Sequence, residues 1–219
     1  MSLFGPPDIA KLTRKKNVAG LIKALEWQQP PDDIRAEAAL ALGQLGDPQA
    51  VMPLAMKLHD YLWSVRKAAA QALIQIPDER AIRYLVPTLA DDNIFVRMPA
   101  AEALVKIGSP AVQPVIDALL DVDDCSDYTR QTSASVLGRL HDTRAVKPLI
   151  TALGTDLDAD TRLFAAEALG QLADPAAVDP LIAALADANH DVREAAQQSL
   201  RRFDDPRAAQ ALAQLSTQA

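Results

Sequence analysis

The sequence predicts an all-α fold: a right-handed α-solenoid of about six two-helix repeats, closed by half-repeat caps at both ends. Three observations carry that prediction. A Val-Arg-x-x-Ala-Ala-x-x-Leu-like pattern recurs with arginines at Arg35, Arg66, Arg97, Arg130, Arg162 and Arg193, spaced 31, 31, 33, 32 and 31 residues apart. Around the arginines, mostly apolar residues fall at offsets −1, +3, +4, +7 and +10, the stripe of a helix with one face in a core. Hydrophobic residues make up 49% of the 219 residues but aromatic residues only 4%. Such apolar content, rich in alanine and leucine, suits closely packed helices better than a sheet. One helix pair cannot bury its apolar face alone, so the unbroken period implies a single domain over residues 1–219.

Each element follows from local residues. Residues 1–16 read as an N-terminal cap, with Ile9 and Leu12 on one side of a short helix that starts at Asp8. Residues 17–205 hold the six helix pairs. The first helix of a pair is visible in Ala50-Val51-Met52-Pro53-Leu54, Ala111-Val112-Gln113-Pro114-Val115, Ala145-Val146-Lys147-Pro148-Leu149 and Ala177-Val178-Asp179-Pro180-Leu181. The recurrent Pro53, Pro114, Pro148 and Pro180 are expected inside that helix, where each bends the backbone and controls curvature. The second helix begins near each arginine. In the fifth repeat its core positions are Thr161, Ala165, Ala166, Leu169 and Leu172. Junctions such as Gly46-Asp47-Pro48 end one helix with glycine, cap the next with aspartate and start it with proline. Residues 206–219 form a capping helix and tail, lightened by Gln210 and Gln214 as an open stack end requires.

The first-helix proline, the Val-Arg junction, the Ala-Ala pair and the closing Leu42-Gly43-Gln44-Leu45-Gly46-Asp47 together resemble HEAT repeats. More narrowly, they resemble the short prokaryotic subclass named after phycobilisome lyases. The resemblance runs from about Asn17 to Leu215. It is specific for an armadillo-like helical fold and says little of activity, because one fold hosts many functions. It implies, as alternatives, a bilin-lyase-like subunit acting on a phycobiliprotein, or an iron hydroxylase of the deoxyhypusine type. The hydroxylase family holds its irons with His-Glu pairs. Here the three histidines read His59-Asp60, His141-Asp142 and His190-Asp191, at three different repeat phases, so that alternative is disfavoured.

Twelve residues after each arginine stands Asp47, Asp78, Ser109, Asp142, Asp174 or Asp205. Five acids in six places predict an Arg–Asp ladder joining successive repeats, weakest at Ser109. Asp156, Asp158, Asp160 and Glu167 match some positions of a calcium loop, but Thr161 replaces the turn glycine and Arg162 intrudes, so capping aspartates are expected instead. The acidic stretch Asp121–Asp127 reads as a lengthened junction. The single Cys125 cannot form an intramolecular disulfide and fits a reducing, cytoplasmic setting. No metal and no cofactor is expected.

The functional candidates lie on the second helices, expected to line the concave face. Trp63, Phe95, Met98, Tyr128, Leu163 and Phe164 occupy phases meant for solvent. They predict an apolar protein-binding ridge rimmed by Lys67, Lys106, Arg139, Glu37, Glu102 and Glu167. The competing expectation is that these side chains fold back over the helix junctions. A formal charge of −7 argues against a nucleic-acid or anionic-membrane surface. No nucleophile–base pair, phosphate-binding loop or metal-ligand spacing stands out. The chain therefore reads as a non-enzymatic scaffold or interaction module with a protein or peptide partner.

Overall fold

Short polar junctions decide where each helix begins and ends. The computed structural model describes residues 5–29 and 33–216, and among them every regular element is helical. Residues 1–4 of the expected N-terminal cap, 30–32 at the first junction and 217–219 of the tail lie outside the described residues. The chain forms two units, residues 1–107 and 108–219. The first holds α1 (Ile9–Arg14), α2 (Val18–Ala24), α3 (Ile34–Leu45), α4 (Val51–Met56), α5 (Trp63–Gln75), α6 (Ile82–Thr88) and α7 (Ile94–Ile107). The second holds α8 (Val112–Leu120), α9 (Asp127–Leu140), α10 (Val146–Thr155), α11 (Ala159–Leu172), α12 (Val178–Ala184), α13 (His190–Leu200) and α14 (Pro206–Ser216). No single described helix is long and apolar enough to cross a membrane.

The order is that of repeated helix pairs. The arginine-bearing helices are α3, α5 and α7 in the first unit and α9, α11 and α13 in the second. Within each unit they pack side by side, α3 on α5 on α7 and α9 on α11 on α13. The cap helix α1 starts where the Asp8 carboxylate accepts from the Lys11 N–H at 2.8 Å, and it buries Ile9. The last helix, α14, stands where the C-terminal capping helix is expected.

The junction Gly46-Asp47-Pro48 works as its residues dictate. Gly46 takes the left-handed conformation (φ 69°) that ends α3, and the Asp47 side chain accepts from the Gln49 N–H. Pro48 opens a single 3-10 turn, after which α4 begins at Val51. Asp78, Asp142 and Asp174 cap equivalent turns. The first-helix prolines do not bend their helices as expected. Pro53, Pro114, Pro148 and Pro180 are each the third residue of their α-helix, in the first turn. N–H groups of the first turn have no acceptor within the helix, so these prolines remove no helical bond there. They start helices and do not bend them.

Leucines fill the core. In the first unit Leu21, Leu42, Leu54, Leu85 and Leu104 have no exposed surface, and in the second Leu137, Leu149, Leu169, Leu181 and Leu200 have none. Buried alanine pairs, such as Ala38-Ala39 and Ala165-Ala166, let the second helices approach closely. The closest approaches fall at glycines. A Cβ on Gly43 of α3 would lie 2.7 Å from Ala72 Cα of α5, and one on Gly170 of α11 would collide with the Ser199 side chain of α13.

One core position breaks the pattern. Ser133 stands at offset +3, where the other five repeats place alanine. It is fully buried, and its hydroxyl has no hydrogen-bond partner among the described residues. Desolvating a hydroxyl without a partner costs about 1–3 kcal/mol, so Ser133→Ala is expected to stabilise the chain by ~1 kcal/mol or more. A higher urea midpoint at unchanged slope is the measurement that checks it, and a lower midpoint would show that the hydroxyl serves the fold.

Candidate functional site

The arginine row is built into the structure, but its acids are not those expected. Arg35 donates Nη2–H to Asp60 Oδ1 at 3.1 Å, and Arg66 forks onto Asp91 at 2.6 and 3.0 Å. Arg130 forks onto Asp156 at 2.8 and 3.2 Å, and Arg162 onto Asp187 at 2.8 and 2.9 Å. Each partner lies 25 or 26 residues on, in the loop between the first and second helices of the next repeat. The same loop is grasped from behind by the next arginine: Arg66 donates to Asp60 O, Arg97 to Asp91 O, Arg162 to Asp156 O and Arg193 to Asp187 O. The result is a chain of alternating links, Arg35–Asp60–Arg66–Asp91–Arg97 in the first unit and Arg130–Asp156–Arg162–Asp187–Arg193 in the second. These pairs are buried or half-buried, with side-chain exposures between 1% and 16%.

The aspartates at offset +12 do other work. Asp47, Asp78, Asp142, Asp174 and Asp205 each accept the N–H two residues on, at helix starts on the far side of the repeat from the arginine row. Where an arginine follows two residues later, it closes a second bond: Arg80 to Asp78, Arg144 to Asp142 and Arg207 to Asp205. Ser109 joins this exposed row by accepting from Arg144 Nη2 at 2.7 Å. A signal for the true ladder acids was present: Asp60, Asp91, Asp156 and Asp187 each precede the next repeat arginine by six residues. Their carboxylates also accept the N–H two residues on, shaping the loop as an Asx turn.

These bonds set an acid limit on stability. The Arg162 guanidinium holds the Asp187 carboxyl below its usual range despite burial. Burial pushes Asp91 upward, but Arg66 and the Asn93 N–H outweigh it and the net shift is down. Arg144 draws the Asp142 carboxyl down to about 2. A carboxyl whose pKa is depressed by folding adds stability above its unfolded pKa of about 4, and that stability is lost as pH falls through the folded value. Urea midpoints are therefore expected to be level near neutrality and to fall from about pH 4 towards pH 2. Asp187→Asn should lower the midpoint at pH 7 and flatten the acid limb. An unchanged limb would remove Asp187 from the cause.

The second-helix face of the first unit carries the exposed apolar candidates. Trp63 opens α5 and Phe95 lies in the first turn of α7, with ring centroids 6.3 Å apart. Trp63 is 46% exposed, Phe95 62%, and Met98, one turn along from Phe95, 57%. Ile94 and, on α3, Leu40 are exposed as well. Lys67 lies one turn after Trp63 and places Nζ 5.8 Å from the Phe95 ring centroid, within cation–π range. These side chains face water and do not fold back over the junctions. On the second unit Tyr128 is exposed at the start of α9, whereas Leu163 and Phe164 on α11 are half-buried. Packing and exposure share those last two.

The remaining titratable groups have local explanations. Asp156 is taken up by Arg130, and Asp158 caps α11 by accepting from Thr161 N–H and Oγ1–H at 2.8 Å. His59 lies against Tyr84 with centroids 6.0 Å apart, and His141 ends α9 in the left-handed conformation (φ 50°). His190, Asp191 and Glu194 bring donor atoms within 4.8 Å of one another on the first turns of α13, all exposed. Gln198 already donates to Glu194, and acids are favoured at a helix start in any case. Cys125 is half-buried. Burial and the nearby Asp121 raise its thiol pKa, which disfavours a reactive thiolate.

With this geometry in place, comparison with known proteins identifies the repeat. A family model for HEAT repeats matches residues 18–104, 63–138, 112–201 and 146–219, most of the chain. The chain belongs to the HEAT-repeat family. No curated protein matches it. Solved structures similar to this HEAT-repeat chain include human deoxyhypusine hydroxylase in complex with glycerol, at 25% identity and TM-score 0.47, covering 89% of this chain and 76% of that one. Another is the complex of CpcE and CpcF of phycocyanin lyase from Nostoc sp. PCC7120, at 23% identity and TM-score 0.45, covering 95% and 84%. A third is a designed armadillo repeat protein in complex with the peptide (KR)4, at 19% identity and TM-score 0.47, covering 85% and 99%.

Proposed function

We propose that this HEAT-repeat chain is a non-enzymatic interaction module that docks a protein or peptide on its second-helix face. Trp63, Phe95 and Met98 are the anchors on the first unit; Tyr128, Leu163 and Phe164 are the second unit's own candidate contacts. The observation that carries this reading is the exposed aromatic and methionine cluster on adjacent helices α5 and α7. Large apolar side chains held in water, with rings in contact and a lysine beside them, have the composition of an interface centre. The buried arginine ladder supports it by fixing the loops from which α5 and α7 start. An anchor on a preorganised element loses less conformational entropy on binding. A formal charge of −7 favours a protein partner over nucleic acid.

Two measurements on one variant test the proposal. Phe95→Ala removes an exposed ring, so the urea midpoint should shift by no more than about 0.5 kcal/mol equivalent. Capture of a partner enriched on the intact chain should weaken by ~2 kcal/mol or more, the loss typical of a hot spot. Phe164→Ala, being half-buried, should show both effects. Unweakened capture by Phe95→Ala, Met98→Ala and Tyr128→Ala would place the partner elsewhere.

A further inference from the structure

Below the aromatic cluster, the same face of the first unit changes character. Trp63, Lys67, Gln71 and Gln75 follow at intervals of four along α5, a stripe about 18 Å long at 1.5 Å per residue, and none of them is buried. Next to its lower half, between α5 and α3, runs a groove of about 420 Å³ lined by Leu40, Gln44, Gln71, Ile74 and Gln75. Gly43 and Ala72 form its floor, where the two helices approach most closely. No formal charge lines it. The three glutamine amides make no hydrogen bond to another described residue. Each offers two N–H donors and one carbonyl acceptor.

We infer that this groove binds an extended peptide segment of the partner, whose backbone N–H and C=O groups pair with Gln44, Gln71 and Gln75 and whose acidic side chain meets Lys67. The inference rests on the proposed protein-binding role of this face and names the partner's chemistry. Uncharged amides with both donors and acceptors match a peptide backbone, which presents both in alternation. They match neither a phosphate, which needs cations, nor a helical partner, whose backbone groups are already paired within the helix. Charge complementarity sets the neighbouring side chain. Lys67 forms no ion pair with a described residue and lies one turn above Gln71 on the stripe, beside the Phe95 ring. A carboxylate of the segment meets that cation while an apolar neighbour covers Trp63, Phe95 and Met98.

Selection of random linear dodecapeptides displayed on phage against the full chain supplies the probe. Enriched peptides are expected to carry an acidic residue next to an apolar one. For a synthetic copy, Gln71→Leu and, separately, Gln75→Ala should weaken binding about tenfold, the scale of a hydrogen bond lost at an interface. Replacing one backbone amide of the peptide by an ester should cost the intact chain a similar factor but the Gln71→Leu chain less than about twofold, because the bond is already gone. Lys67→Met should abolish the preference for the acidic residue and its salt dependence. Additive losses for ester and Gln71→Leu, or enrichment of amphipathic helix formers, would overturn the inference. If Phe95→Ala abolishes binding while the amide and ester changes do not, the backbone pairing fails and the interaction role stands. If no peptide is enriched, or neither set of changes affects binding, both fail.

Discussion

Replacing Arg130 by alanine is expected to destabilise the chain by ~3–5 kcal/mol, the cost of leaving a buried charge without its partner. Arg130 and Asp156 are 7% and 2% exposed at their side chains, joined through two bonds, and Arg130 also donates to Cys125 O and Asp127. Its removal strands a carboxylate in the interior and frees the loop before α9. The control is Arg144→Ala. That guanidinium is bonded just as closely to Asp142 but is half in solvent, at 49% exposure, where ion pairs are worth ~0–1 kcal/mol. Urea unfolding of both variants checks the contrast. Equal shifts would mean that burial does not distinguish the two rows, and that the ladder is ornamental.

Gly43→Ala should also destabilise, although alanine is the better helix former. In an open helical position the exchange gains ~1 kcal/mol. At Gly43 the new Cβ would meet the backbone of Ala72 at 2.7 Å, and backbone cannot turn aside as a flexible side chain can. Overpacking of that kind costs ~1–3 kcal/mol, so the net effect is a loss, with α3 and α5 pushed apart. Gly154→Ala supplies the opposite sign. It lies in α10 with nothing within 4 Å of the new methyl, and it should stabilise by ~0.5–1 kcal/mol. Thermal unfolding of the two variants settles the matter, since a gain at Gly43 would mean that the helices are not held at this distance. If Gly43→Ala also reduces binding of the selected peptide, the groove above the contact is the reason.

Much of this protein is determined by local sequence. A period of about 31 residues, alanine pairs facing a core and junction aspartates such as Asp47, Asp142 and Asp174 each act within a few residues, so they specify helix pairs whatever the neighbours do. Exposed phases are legible for the same reason: offset from the arginine sets which side of a helix a residue occupies, and it correctly placed Trp63, Phe95, Met98 and Tyr128 in solvent. Partner choice between two recurring rows of acids was not decided by spacing. Carboxylates recur at offset +12 and also at offset +25 or +26, and only the packing of one repeat on the next brings Asp60 to Arg35 and Asp91 to Arg66 while Asp47 and Asp78 remain at the far end of their helices. The prolines show the same division, for the residue pattern marks the first helix but not the 3-10 turn that moves each proline into its first turn. Half-burial of Leu163 and Phe164, and the groove floored by Gly43 and Ala72, likewise arise only when adjacent helices meet. Helix formation reads spacing along one chain segment; ion pairs and grooves read distances between segments, which periodicity leaves unspecified.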